Sequence, residues 1–245
     1  MLTEVQARSA VDRCWGTVLE SLAALPDDGW SGPTRCAGWT VLDLARHGAW
    51  GTSMEADALR RARVGEPGTA VGVEPDGGPA AVFAALRTSV ADLVSELGRT
   101  SVGEGTLVIP FGEIPAAFGL QVFAMEAGVH ADDVASALGR EEPLGPDVVA
   151  ATVAVLPAVF PVLASMAGQV GPEGTVVALQ GPTVDLRFAV VDGAWAASDL
   201  PPTVSVRSDS DTGVLRFALG RIGTDAPGLT VDEGARPFKT WFPGP

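Results

Sequence analysis

Residues 30–47 read WSGPTRCAGWTVLDLARH, and this stretch decides the fold. Its first half is dense in Gly and Pro, the composition of a shaped loop. Its second half starts a helix. Thr40 and Asp43 stand three apart as a capping box, in which each side chain satisfies a backbone N–H of the other. Trp39 and Leu44 flank that box as a hydrophobic staple. The apolar spacing then runs helically to about Arg63, with His47 in the first third. Upstream, Val5, Val11, Trp15, Val18, Leu19 and Leu22 recur at helical spacing over 3–25. Downstream, residues 64–78 form a connection long enough for a crossover between helices that are not antiparallel neighbours. A third helix is expected over 79–98, with Val82, Leu86, Val90, Leu93, Val94 and Leu97 as its core stripe. TLVIPFGEIP (106–115) reads as an extended loop, and Pro115 suits the first turn of a fourth helix. The architecture expected is a four-helix bundle with one further packed helix.

The fourth helix carries FAMEAGVHADD, residues 123–133, and the only other histidine of the chain. Glu126 and His130 are four apart, so both project from one helical face. Imidazole and carboxylate together suit Zn, Ni, Fe or Mn. One more imidazole from a second helix would complete a three-ligand set with open positions. A His on an apolar helix is also an ordinary core residue, and spacing does not separate the two. Both histidines nevertheless fall in apolar helical contexts.

With 245 residues, 47% of them hydrophobic and 19% charged, the chain has material for one large domain or two smaller ones. A net charge of −14 argues against nucleic acid and against an anionic membrane as partners. The single lysine (Lys239) and the absence of Asn and Tyr fit GC-rich codon usage. Cys14 and Cys36 are too few for a disulfide framework and lack metal-pair spacing, which suits a reducing cytoplasm. The stretch MLTEVQARSAVDR has no apolar signal core, so export by that route is not expected. Residues 148–172 are uncharged and long enough to span a bilayer. Pro157 and Pro161 interrupt them, however, and their flanks are acidic rather than Lys/Arg-rich, so a buried bundle helix is expected.

Near Gly168 the periodicity changes. Val176–Leu179 and Val184–Val191 alternate as strands, and Asp192-Gly193 is a hairpin turn before Ala194–Ala197. Thr203–Val206 reads as a strand, 211–220 as a short helix and Leu229–Val231 as a last strand ahead of the tail FKTWFPGP. The expected class is α+β: residues 1–168 as a helical bundle, 169–245 as a small α+β domain.

Trp30, Pro33, Thr34, Cys36, Gly38, Trp39, Thr40 and His47 together resemble the opening motif of the DinB-like superfamily, in its maleylpyruvate isomerase N-terminal branch. The resemblance implies His47 as a metal ligand, with Glu126 and His130 as the E-x-x-x-H pair, and Asp133 matches a common acid three residues on. VSVRSDSDTGVLRFALGRIG (204–223) is similar to the family's sterol-carrier-like second domain. What the family implies is a divalent metal, usually zinc, mycothiol as co-substrate, and an isomerase or thiol S-transferase activity on an electrophilic small molecule. On the family pattern Arg221 is the candidate cation for substrate, with Arg216 behind it; either also reads as a surface or interface ion pair.

Other roles stay open on sequence alone. Cys36 reads as a buried residue before it reads as a nucleophile. Trp30, Trp39 and Trp50 line a pocket or fill core, and Asp133 orients His130 or is solvated. A thiol-independent metalloenzyme catalysing hydrolysis, cyclisation or dehydration competes with thiol chemistry. So does a small-ligand carrier with a vestigial metal site. A monomer or homodimer is expected.

Overall fold

A computed structural model describes residues 1–101, 103 and 105–241. The described residues fall into two compact units, Met1–Ala151 and a second from Thr152 onward. The chain is mixed α+β, with seven α-helices and two sheets among the described residues.

The first unit is built on α1 (Glu4–Ala23), α2 (Val41–Val64), α3 (Pro79–Arg99) and α4 (Ala116–Ala137). α1 packs mainly on α4 and α2 mainly on α3, while α1·α3 and α2·α4 contacts close the four-helix arrangement. Each helix has a chemical start. Thr3 and Gln6 form a capping box on α1, and Thr40 and Asp43 form the one expected on α2. Pro79 occupies the first turn of α3, where its missing N–H costs nothing. Pro115 instead stands just outside α4 as its N-cap residue. Gly65, in the left-handed region, ends α2. Trp15, Leu22, Leu59, Leu86, Leu93, Leu120 and Phe123 fill the interior.

The segment expected as an extended loop is a hairpin. β1 (Thr106–Ile109) pairs antiparallel with β2 (Gly112–Pro115), and Leu107 is fully buried. Its alternation was short, and only packing against α2 and α4 gave it an inner face.

α5 (Pro146–Ala167) serves both units. Its first turns hold Val148 and Ala151 in the bundle. From Thr152 on it belongs to the second unit, where Phe160 stacks on Phe188 at 4.0 Å and on Phe238 at 5.5 Å. The division thus falls inside α5, ahead of the change of periodicity at 168. Pro157 and Pro161 lie inside the helix without ending it. It is the one described helix long and apolar enough to cross a membrane, and only 39% of its most apolar window is buried.

The second unit's sheet runs β5-β4-β3-β6-β7, from β3 (Val176–Gln180), β4 (Asp185–Val191), β5 (Ala194–Ala197), β6 (Val204–Ser208) and β7 (Leu229–Val231). Only β3 and β6 are parallel. Asp192 and Gly193, at φ 52° and 71°, make the expected tight turn between β4 and β5. α6 (Asp211–Ala218) is capped by Ser210 and packs on β3 and β6. α7 (Phe238–Trp241) takes the first half of the aromatic tail, and residues 242–245 lie outside the described residues.

Gly128, on α4 between Glu126 and His130, marks where α4 meets the start of α5. A Cβ there would lie 2.9 Å from Val148 Cβ and closer still to both its methyls. Gly128→Ala should cost about 1–3 kcal/mol by overpacking. Urea denaturation of Gly128→Ala should show that loss, and adding Val148→Ala should recover part of it.

Candidate metal centre

The loop before α2 is a closed turn. Pro33 and Thr40 form a β-bridge, Thr34 N donates to Trp39 O at 3.0 Å, and Val41 N donates to Gly32 O at 3.0 Å. Gly38 makes the reversal at φ 81°, a conformation other residues rarely adopt. The side chain of Arg35 is 9% exposed and ties this loop to α4, donating to Asp132 at 2.7 Å and to Glu141. At the end of the loop, Thr40 Oγ1 donates to Asp43 Oδ2 at 2.6 Å and accepts from Asp43 N at 3.2 Å. Start and rotation of α2 are fixed by these bonds, and His47 follows two turns later.

Across from it, α4 presents Glu126 and His130. One donor atom each from His47, Glu126 and His130 lie within 4.8 Å of one another. The rings of His47 and His130 stand nearly edge to face, 5.1 Å between centroids. Trp39 and Trp50 pack against His47 at 5.0 and 5.7 Å, so both indoles wall the imidazole. Trp30 is buried against Phe83 instead, as core.

His130 is held from both sides. Its Nδ1 faces Asp133 Oδ2 at 3.3 Å, and Asp133 is fully buried. Its Nε2 lies 3.3 Å from Glu126 Oε2 but is buried without a hydrogen-bond partner of proper alignment. With Nδ1–H committed to Asp133, the lone pair belongs to Nε2, the nitrogen that faces Glu126 and His47. The set of two imidazoles and a carboxylate, with one nitrogen orphaned toward the other donors, fits a divalent ion of borderline hardness. Burial opposes a charge on His130, yet the carboxylates of Asp133 and Glu126 outweigh it and push the pKa up to about 9. A cation binding at Nε2 must therefore displace a proton at neutral pH.

Cys36 is buried, with Sγ donating to Asp133 Oδ2 at 3.3 Å. Cys36, His130 and Asp133 form a second compact donor group that shares His130 with the first. Asp133 thus faces inward to the imidazole and the thiol. Arg221 belongs to the second unit, just past α6. Its Nη1 donates to Leu219 O at 2.7 Å and its N to Arg216 O at 2.8 Å. Arg216 lies in the last turn of α6.

Two participants escaped the sequence. Arg35 reads as a loop cation until folding sets it against Asp132. Glu55, on α2 eight residues after His47, is 3% exposed. Its only signal was an acid among Met54, Ala56, Ala58 and Leu59.

In the metal-free protein, the His130 pKa of about 9 stands above the ordinary value of 6.5. The stability it contributes is fully present below the unfolded pKa and lost as pH rises through the folded one. Asp133→Asn should therefore lower the urea midpoint of the metal-free protein more at pH 6 than at pH 10.

Residues 11–135 match the model of the mycothiol maleylpyruvate isomerase N-terminal domain. Two uncharacterized proteins of Mycobacterium tuberculosis, MT0763 of strain CDC 1551 / Oshkosh and Rv0738 of strain ATCC 25618 / H37Rv, are each 28% identical over 127 residues. The matched stretch is 52% of this chain and spans 64% of each relative, short of two thirds of their length. Among solved structures, a histidine-to-alanine mutant of a mycothiol-dependent maleylpyruvate isomerase is similar at TM-score 0.70 and 20% identity, over 95% of this chain and 94% of that one. A second structure of a mycothiol-dependent maleylpyruvate isomerase is similar at TM-score 0.67 and 18% identity, with the same coverage. At these identities the structures establish a shared fold. The family model covers half the chain, including all three donors and the loop that sets them, and the chain belongs to the mycothiol maleylpyruvate isomerase N-terminal domain family.

Proposed function

We propose that this protein is a metal-dependent enzyme that uses a low-molecular-weight thiol, mycothiol, to isomerise an electrophilic small molecule or transfer sulfur to it. The observation that carries this is the convergence of His47, Glu126 and His130, with Nε2 of His130 orphaned among them, in a chain of this family. A divalent ion held by these three, zinc being the natural choice, would lower a thiol's pKa and provide a thiolate at neutral pH. His130 and His47 serve as neutral donors, and Asp133 keeps the lone pair of His130 on Nε2. Trp39 and Trp50 keep His47 against apolar surface, which limits the water that competes for the site.

The chemistry balances without any redox partner. Addition of a thiolate sulfur to a conjugated C=C forms a C–S bond and leaves a single bond that rotates. Expulsion of the same thiolate restores the double bond in the other geometry. If another group leaves instead, the outcome is S-transfer. Substrates of this reactivity commonly carry carboxylates, and Arg221 is our candidate to grip one, since its planar fork matches both oxygens.

Elemental analysis should find about one divalent ion per chain, and His47→Ala or His130→Ala should lose most of it. Turnover of maleylpyruvate should need mycothiol and stop on chelation. Arg221→Ala should cut kcat/KM while metal content stays at the wild-type level. Full turnover without thiol would replace thiol chemistry by metal-bound-water hydrolysis, cyclisation or dehydration. Ligand binding with no turnover in the metal-loaded protein would make it a carrier.

A further inference from the structure

Several of the bundle's buried polar side chains are matched. Thr52 Oγ1 donates to Gly48 O at 2.7 Å and shares a 2.6 Å hydrogen bond with Ser89 Oγ. Glu96 is paired with Arg63 at 2.9 Å and with Arg99 at 3.3 Å. Gln121 both accepts from and donates to the backbone of Leu2. Among the described residues of the bundle, Arg8 Nε, Trp15 Nε1, Thr100 Oγ1 and His130 Nε2 are buried without a hydrogen-bond partner, and so is one carboxylate, that of Glu55. It sits on the same helix as His47, 3% exposed, and its Oε2 is buried without a hydrogen-bond partner. Burial first, and then the charge of Glu126, push its carboxyl well above the ordinary range. Glu126 is thus the ionisable group whose field Glu55 feels, and α2 packs on α4, which carries it.

An unpartnered carboxyl in an interior costs several kcal/mol unless something compensates it. Among the described residues no cation answers it. The neighbouring donor set supplies the missing term. Two neutral imidazoles and one carboxylate leave a divalent ion with one positive charge uncancelled, and that excess is costly where His130 is buried. Asp133 offsets part of that charge through His130, and a further carboxylate near Glu126 would draw the ion in more strongly.

Resting on the metal-site reading above, we propose that Glu55 is an outer carboxylate of the cation site: it is not one of the three donors, but its charge beside Glu126 strengthens and selects for a divalent ion. It is a positioning residue, and it should act on affinity rather than on which atoms ligate.

The test is a calorimetric titration of the metal-free protein with Co2+, followed also by the cobalt absorption spectrum, in wild type, Glu55→Gln and Glu55→Met. Both variants keep the length of the side chain and lose the charge. Binding should weaken about 10- to 100-fold, the range typical of outer partners of metal ligands. The cobalt spectrum should keep its wild-type shape, since the donors are unchanged. Melting temperatures of the metal-free variants should equal or exceed that of wild type, because an uncompensated buried acid is gone. A purely structural role would give the opposite pair, a lowered melting temperature with unchanged affinity in the folded protein, and would overturn the proposal. Wild-type affinity in both variants would also overturn it while leaving the three donors intact. Failure of wild type itself to bind Co2+ would remove the triad and Glu55 together.

Discussion

The structure turns on how His130 is held. One ring nitrogen is spoken for by Asp133 on its own helix, inside the protein, and the other is left beside Glu126 with no hydrogen bond. Both carboxylates lie within about one helical turn, so α4 alone fixes the ring's plane and tautomer. What α4 cannot supply is the third donor. That comes from α2, whose start and rotation are set by the Thr40–Asp43 cap and by a loop tied through Arg35 to Asp132. The same helix α4 therefore orients its own donors and anchors the loop that delivers the partner donor.

Such an arrangement concentrates acid in the interior. Asp133, Asp132 and Glu55 are all buried, and each is a liability unless matched. Asp132 is matched by Arg35, and Asp133 by the imidazole and the Cys36 thiol. This also gives Cys36 a place: its sulfur helps satisfy Asp133, which makes it a support of the donor set. The residual imbalance lies at Glu55, whose Oε2 is buried without a hydrogen-bond partner.

The second unit follows different rules. Its sheet is set by local chemistry, with the Asp192–Gly193 turn fixing the β4–β5 register and Ser210 starting α6. Its core is aromatic, with Phe188, Phe160, Phe238 and Phe217 stacked in that order, and one of these, Phe160, comes from α5. That contribution explains why an apolar helix expected in the bundle belongs mostly to the second unit. Apolar content says that a helix is buried, but it does not say against what.

By itself the sequence determined what local physics controls. The starts of the four bundle helices follow caps and prolines, and the strands β5 and β7 and the Asp-Gly turn follow alternation and turn chemistry. The pairing of Glu126 with His130 follows from helical spacing. Contacts distant in sequence were decided only by the tertiary structure: the approach of His47 to that pair, the Arg35–Asp132 tie and the burial of Glu55 beside Glu126. So was the hairpin at 106–115, whose inner face exists only against α2 and α4. The reason is physical: a cap or a turn is a bond between neighbours in the chain. Burial and charge at a site depend on which helices meet, and helix packing writes no fixed spacing into the sequence.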